Sequence, residues 1–120
     1  MAVMTFPLVD GYKFGEDVHH NVGLRELTTE DLIDAQIAAE KVIIHEGKAL
    51  SYTSDVLYGL EMLCRQIEFI GAVKGPFTMK ELRKLSNPDF TLVQEKAQEL
   101  DDMILEELKE RGRSEGASGA

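Results

Sequence analysis

The sequence predicts an α+β fold that is mainly α: an N-terminal β-hairpin or small meander followed by about four helices. Three observations carry that expectation. Residues 4–27 hold short apolar runs and alternating positions between turn signals, as a half-buried strand requires. A threonine followed three residues later by an acid occurs at Thr28/Asp31 and again at Thr78/Glu81, which marks two helix starts. From Leu32 onward, apolar residues recur at spacings of three and four, the period of an amphipathic helix.

Met4-Thr5-Phe6-Pro7-Leu8-Val9 reads as a first strand, with Asp10-Gly11 and Gly15-Glu16-Asp17 as turns around Tyr12-Lys13-Phe14. Pro7 donates no hydrogen bond, so it belongs on an edge or at a bulge. Val18, His20, Val22 and Leu24 share one parity and suit one strand face. The Thr28 cap opens a helix through Leu32, Ala35, Ala39 and Val42, widened by Ile33, Ile37 and Ile44, with Gly47 as its stop. A second helix is expected from about Tyr52 to Ile70, with Val56, Leu60, Leu63, Ile67 and Ile70 on one face and Glu61/Arg65 paired on the polar side. The Thr78 capping box starts a short helix carrying Leu82 and Leu85. Asn87 as cap and Pro88 at the first helical position open the last helix, which runs to about Glu110. Residues 1–111 form a single domain on this reading, and 112–120, rich in Gly, Ser and Ala, a flexible tail.

A chain of 120 residues can bury one modest core without staples. Its single cysteine, Cys64, rules out an internal disulfide and suits a reducing compartment. The first residues lack the basic and apolar regions of a secretory signal, and no apolar run approaches the roughly 20 residues that span a bilayer. The expected location is the cytoplasm, with no membrane partner. A net charge of −9 opposes nucleic-acid binding, which depends on Lys and Arg clusters.

Convergent chemistry is scarce. His19 and His20 are adjacent, so on a strand they point to opposite faces and cannot chelate one metal. Cys64 lies on the apolar side of its helix and reads as a small hydrophobe. The carboxylates of the last helix, Asp101 and Asp102 among them, read as a solvated face. Phosphate loops, dinucleotide fingerprints and serine nucleophile motifs are missing. The chain is therefore expected to be no enzyme, with no catalytic residues, metal or cofactor. The segment 78–100 has a helix-turn-helix outline with Lys80, Arg83 and Lys84 on its first member, so a small DNA-binding regulator is an alternative. Its second helix is acidic where a recognition helix needs cations.

The apolar sector of the second helix is wider than the stripe of about 100° that a surface helix needs. Most of it must be core. The surplus at Leu57, Met62 and Phe69, with Leu60 and Ile70 beside it, is the candidate protein-binding surface. The same width suits self-association.

Three segments in order carry a resemblance: Leu24-Arg25-Glu26-Leu27-Thr28-Thr29-Glu30-Asp31-Leu32-Ile33-Asp34-Ala35, Ser54-Asp55-Val56-Leu57-Tyr58-Gly59-Leu60, and Gly75-Pro76-Phe77-Thr78-Met79-Lys80-Glu81-Leu82-Arg83-Lys84-Leu85-Ser86. Together, over about residues 20–105, they resemble the tail assembly chaperones of Mu-like bacteriophages and prophages. That resemblance implies a non-enzymatic protein of the bacterial host cytoplasm, not expected in the mature virion. It implies binding to the tape measure protein, help for tail tube subunits that polymerise around it, and association with a frameshift-extended form joined near 111–120. A minor structural tail component is the remaining alternative.

Overall fold

The computed structural model describes residues 2–119, with side chains through residue 112. Among the described residues there are six strands in two antiparallel sheets, so the fold is a balanced mixture and not mainly α. The N-terminal hairpin is present. Strand β1 (Met4–Phe14) pairs with β2 (Asp17–Leu24), and Gly15, at φ 66°, turns the chain between them. Asp10-Gly11 does not end a strand as expected. It sits inside β1 at a bulge, where the register shifts between Pro7 and Tyr12 and Gly11 takes φ 93°. Pro7 thus lies on an edge strand beside a bulge.

Helix α1 (Thr29–Ala38) begins at the expected Thr28/Asp31 capping box, with both reciprocal bonds made. It ends at Ala38 and not at the Gly47 stop that the sequence predicts, because Glu40–His45 is a strand, β3, paired with β4 (Lys48–Thr53). The reason is local. Val42-Ile43-Ile44 is a β-branched triplet, stiff in a helix and at home on a pleated surface. Glu46 and Gly47 take φ 51° and 78°, the two positive values that a two-residue type I′ hairpin turn demands.

The second expected helix is also shortened. Helix α2 spans Asp55–Gln66, capped by Ser54, whose hydroxyl accepts from the Leu57 N–H. Ile67–Ile70 then forms β5, paired antiparallel to β2 through Val22↔Ile70 and Gly23↔Phe69. A two-residue strand, β6 (Val73–Lys74), completes a four-stranded sheet of order β1-β2-β5-β6. Helix α3 is a single turn, Met79–Leu82, opened by the expected Thr78/Glu81 box. Helix α4 (Asn87–Gly119) is capped by Ser86 and not by Asn87: the Ser86 hydroxyl accepts from the Asp89 N–H and its carbonyl from the Phe90 N–H. The tail expected over 112–120 falls at the end of α4, and all but its first residue lie beyond the described side chains.

One sheet face and three helices enclose the core. Phe6, Leu8, Val22, Leu24, Ile67 and Ile70 meet Leu63, Leu82, Val93, Ala97 and Leu100, all nearly inaccessible to solvent. Tyr12 and Phe77 add an edge-to-face pair with centroids 6.0 Å apart. Asp89, wholly buried, ties the first turn of α4 to the β1 bulge: its carboxylate accepts from the N–H groups of Val9 (2.6 Å), Asp10 (3.0 Å) and Gly11 (2.9 Å). Across β2 and β5 the Phe69 ring lies directly over Gly23, in the space a Cβ would occupy. Gly23→Ala is therefore expected to displace that ring and destabilise the protein by about 1–3 kcal/mol, read as a lower urea midpoint.

Arg25 and Asp31 clamp the start of α1. Arg25 Nη1 and Nη2 donate to the two Asp31 oxygens at 2.7 and 3.0 Å, and Asp31 also accepts from the Thr28 N–H and hydroxyl. The Arg25 guanidinium holds the Asp31 carboxyl well below the usual carboxylate range. A carboxyl depressed on folding contributes stability above its unfolded value, about pH 3.9, and loses it as pH falls toward the folded value. Asp31→Ala should cost about 1–2 kcal/mol at neutral pH. Acid unfolding of the variant should be less steep below pH 4 than that of the parent.

The molecule is not a compact ball. Its Cα radius of gyration is 17.7 Å, against about 14 Å expected for a compact chain of this length. Two parts project: the β3–β4 hairpin, exposed at all twelve strand positions, and the distal part of α4.

Candidate functional site

An open groove of about 430 Å³ lies between α2 and α4. The local sequence explains its form. Gly59 leaves the middle of α2 without a side chain, and a Cβ there would meet nothing within 4 Å. On α4, the residues facing the groove include the small Ala97 and the polar Gln94 and Gln98. With no side chain at Gly59 and only a methyl group at Ala97, the space between the helices is left unfilled and open to solvent.

The groove is graded from apolar floor to polar rim. Leu60, Met62, Leu63 and Ala97 are buried or half-buried, with Leu27 at one side. Asp55, Gln94, Gln98 and Asp101 stand exposed around them. Gln66 is 3% exposed and donates from Nε2 to Asp101 Oδ1 at 3.2 Å, bridging the two helices. Although Asp101 is exposed overall, partial desolvation of its carboxyl on the groove side raises it above the usual range, partly offset by that Gln66 bond. The glutamines present donors and acceptors without a fixed charge. Such a lining can take the apolar stripe of an amphipathic helix and hydrogen-bond to its flanks.

The sequence-derived surface is divided by the fold. Leu60 and Met62 line the groove. Leu57 is half-buried on α2 but outside the groove lining. Phe69 and Ile70 are not on the helix at all: they belong to β5. Ile70 is 1% exposed in the sheet core, which removes it from any contact surface. Phe69 is half-buried over Gly23. Sequence reasoning missed Gln66, Gln94, Gln98 and Gly59, although a mid-helix glycine without a strand or turn to explain it is a signal for close approach or open space.

Much of the expected apolar surplus lies elsewhere. Ile33 and Ile37 on α1 are exposed, as are Val42, Ile43, Ile44 and Leu50 on the hairpin. Cys64 is 1% exposed beside Met79 Sδ, and burial pushes its thiol up to about 11, so it behaves as an unreactive hydrophobe. His19 packs at Gly71, while His20 Nδ1 lies 3.1 Å from the Leu8 carbonyl oxygen, so the two rings diverge as their parity requires. Among the described residues, no three His, Cys, Asp or Glu side chains gather as metal ligands, and no helix is long and apolar enough to cross a membrane. In the segment 78–100, α3 is one turn long and α4 is acidic, which departs from a DNA-reading pair of helices.

Comparison with known proteins identifies the family. The family model for the tail assembly protein gp41 matches residues 8–113. The Mu-like prophage FluMu protein gp41 of Haemophilus influenzae is 39% identical over 115 residues, covering 95% of this chain and 91% of the relative. The probable tail assembly protein gp41 of Escherichia phage Mu is 41% identical over 111 residues, covering 88% and 77%. The probable tail assembly protein FS-gp41 of the same phage is 46% identical over 87 residues, which are 69% of this chain and 46% of that protein. No solved structure matches the chain. By extent and identity of these matches, the chain belongs to the tail assembly protein gp41 family of Mu-like phages and prophages.

Proposed function

We propose that this protein is a non-enzymatic tail assembly chaperone whose α2–α4 groove holds an amphipathic helix of the tape measure protein. The observation that carries this reading is the groove itself, with Leu60, Met62, Leu63 and Ala97 as floor and Gln66, Gln94 and Gln98 among its polar walls. A tape measure protein is long, largely helical and apolar, so its helices need cover until tail tube subunits enclose them. The groove covers one apolar stripe at a time. Its small area keeps the affinity moderate, which allows release when the tube takes over. The net charge of −9 keeps the chaperone soluble and steers basic client segments toward it.

On this reading the protein acts in the cytoplasm of the bacterial host and is left out of the finished particle. The match to FS-gp41, which is more than twice the length of the aligned segment, supports a second form that carries the same domain with an extension. Both forms would present the same groove.

Co-expression with the tape measure protein of the same phage tests the proposal. The chaperone should keep that client soluble and copurify with it. An insoluble client and no complex would overturn the reading. Mass spectrometry of purified particles separates it from a structural role, because a chaperone is missing there and a tail component is present.

A further inference from the structure

We infer that two copies of this chain form a closed dimer by exchanging arms: the β3–β4 hairpin of each lies across the exposed face of α1 of the other. This goes beyond the client groove and does not rest on it, since none of Ile33, Ile37, Ile43 and Leu50 lines it.

A two-stranded hairpin alone in water is marginal at best. Here β3 and β4 pair only with each other in a sheet of two, and all their residues are exposed. Cross-strand partners share a face, so the pairs Lys41/Tyr52, Ile43/Leu50 and His45/Lys48 stand on one side. Ile43, Leu50 and Tyr52 are 47%, 47% and 50% exposed there. His45 lies 3.8 Å from Glu46 in the turn, which offsets its charge when protonated. Glu40 is on the opposite side, bonded to Ser51. One side of the arm is therefore apolar in the middle with a lysine toward each end.

Helix α1 presents the complement on a single face. Glu30, Ile33, Asp34 and Ile37 are spaced at i, i+3, i+4 and i+7, so they form one stripe. All four are exposed, the two isoleucines at 52% and 65%. The far side of the helix carries the buried Ala35, and α1 packs there against α2. Asp31 is not part of the stripe, because its carboxylate is held by Arg25. Among the described residues, none of Glu30, Asp34, Lys41 and Lys48 has an ion-pair partner in its own copy.

A second copy is the occupant because this chain already carries what the arm needs, an apolar stripe set among carboxylates, in the neighbouring element. Only Ala39 separates α1 from β3, and its carbonyl accepts from the Ser54 N–H to close the base of the arm. The two surfaces therefore adjoin in every copy. A twofold axis beside that base carries each arm onto the other copy's α1, so the contact is made twice. The lengths agree: strands of six residues reach about 20 Å, and a helix of ten residues about 15 Å. Burial removes two exposed apolar patches per copy, and the charges set the orientation. Both surfaces of both copies are then used, so growth stops at two.

Sedimentation of the full chain over a wide range of concentration and salt tests this. The mass should rise with concentration from one copy to two and stop there, and high salt should weaken the association. Ile43→Glu with Leu50→Glu should leave monomers, since the arm then meets Glu30 and Asp34 with like charge. Ile33→Lys with Ile37→Lys should do the same against Lys41 and Lys48. Mixed one to one, these two double variants should form a heterodimer, with one contact unaltered and the other rebuilt from new glutamates against new lysines. That result also shows that both variants are folded. Lys41→Glu with Lys48→Glu, which leaves the apolar residues in place, should raise the dissociation constant by at least about tenfold. Val42→Thr with Ile44→Thr, on the other side of the arm, should dimerise like the parent. A parent chain that stays monomeric throughout, or grows beyond two copies, overturns the proposal. So does a mixture that stays monomeric, or a Val42/Ile44 variant that no longer dimerises. An Ile33/Ile37 variant that dimerises like the parent also overturns it, because the arms then pair with each other and not with α1.

Discussion

Asp89→Ala is expected to destabilise the protein by about 3–5 kcal/mol, a large share of a domain's usual 5–15 kcal/mol. Asp89 is the one wholly buried acid among the described residues, and its carboxylate is the acceptor for three consecutive backbone donors of the β1 bulge. Removing it strands the N–H groups of Val9, Asp10 and Gly11. It also unties β1 from α4, the two elements on either side of the core. Asp89→Asn keeps an acceptor oxygen but turns one into a donor, so at most part of the set can be satisfied and an intermediate loss is expected. Urea unfolding at neutral pH reads both. A change of less than about 1 kcal/mol for Asp89→Ala would mean that water replaces the carboxylate at little cost.

The second large effect concerns function. Gly59→Phe should weaken binding of the tape measure protein by at least about tenfold, or about 1.4 kcal/mol, while the protein remains folded. Gly59 is exposed in mid-helix, lines the groove, and leaves open space where a Cβ would go. A ring at that position occupies the place proposed for the client's stripe. Gly59→Ala is the control. Alanine in a helix interior is favoured over glycine by about 0.5–1 kcal/mol, so this variant should be slightly more stable and still bind. If both variants bind like the parent, the client does not use this groove.

What the sequence made legible was mostly local. The capping boxes Thr28/Asp31 and Thr78/Glu81 and the Glu61/Arg65 pair each depend on residues three or four apart, and all three are present in the fold. The N-terminal hairpin followed from alternation and from Gly15. The failures came where one set of apolar residues satisfied two periods. Val42 and Ile44 fit a helical stripe begun at Leu32, and they equally fit a strand. The β-branched run and the Glu46-Gly47 turn decided for the strand, and both were visible in the sequence. Ile67–Ile70 was a different problem. It continues the spacing of Leu60 and Leu63 without a break, and it becomes a strand because β2 offers it an edge to pair with. No pattern within α2 records that partner.

The candidate site was legible to the same extent. The apolar excess around the second helix singled out Leu60 and Met62, which do face the groove. Ile70 and Phe69 were drawn in by the helical reading and left with it. The polar walls escaped notice because Gln94 and Gln98 lie on a different helix from Leu60, and only tertiary packing brings them across. Asp89 escaped for the same reason: in the sequence it is an acid in a first helical turn, and its three partners are far away near the N-terminus.

The most direct test of the groove as the client site is a titration of the full chain with a synthetic amphipathic helix from the tape measure protein, followed residue by residue by NMR. The account predicts chemical-shift changes concentrated at Leu60, Met62, Leu63, Gln94, Ala97 and Gln98, and lost in Gly59→Phe. Binding that leaves these residues unmoved and shifts the β3–β4 hairpin instead would contradict it.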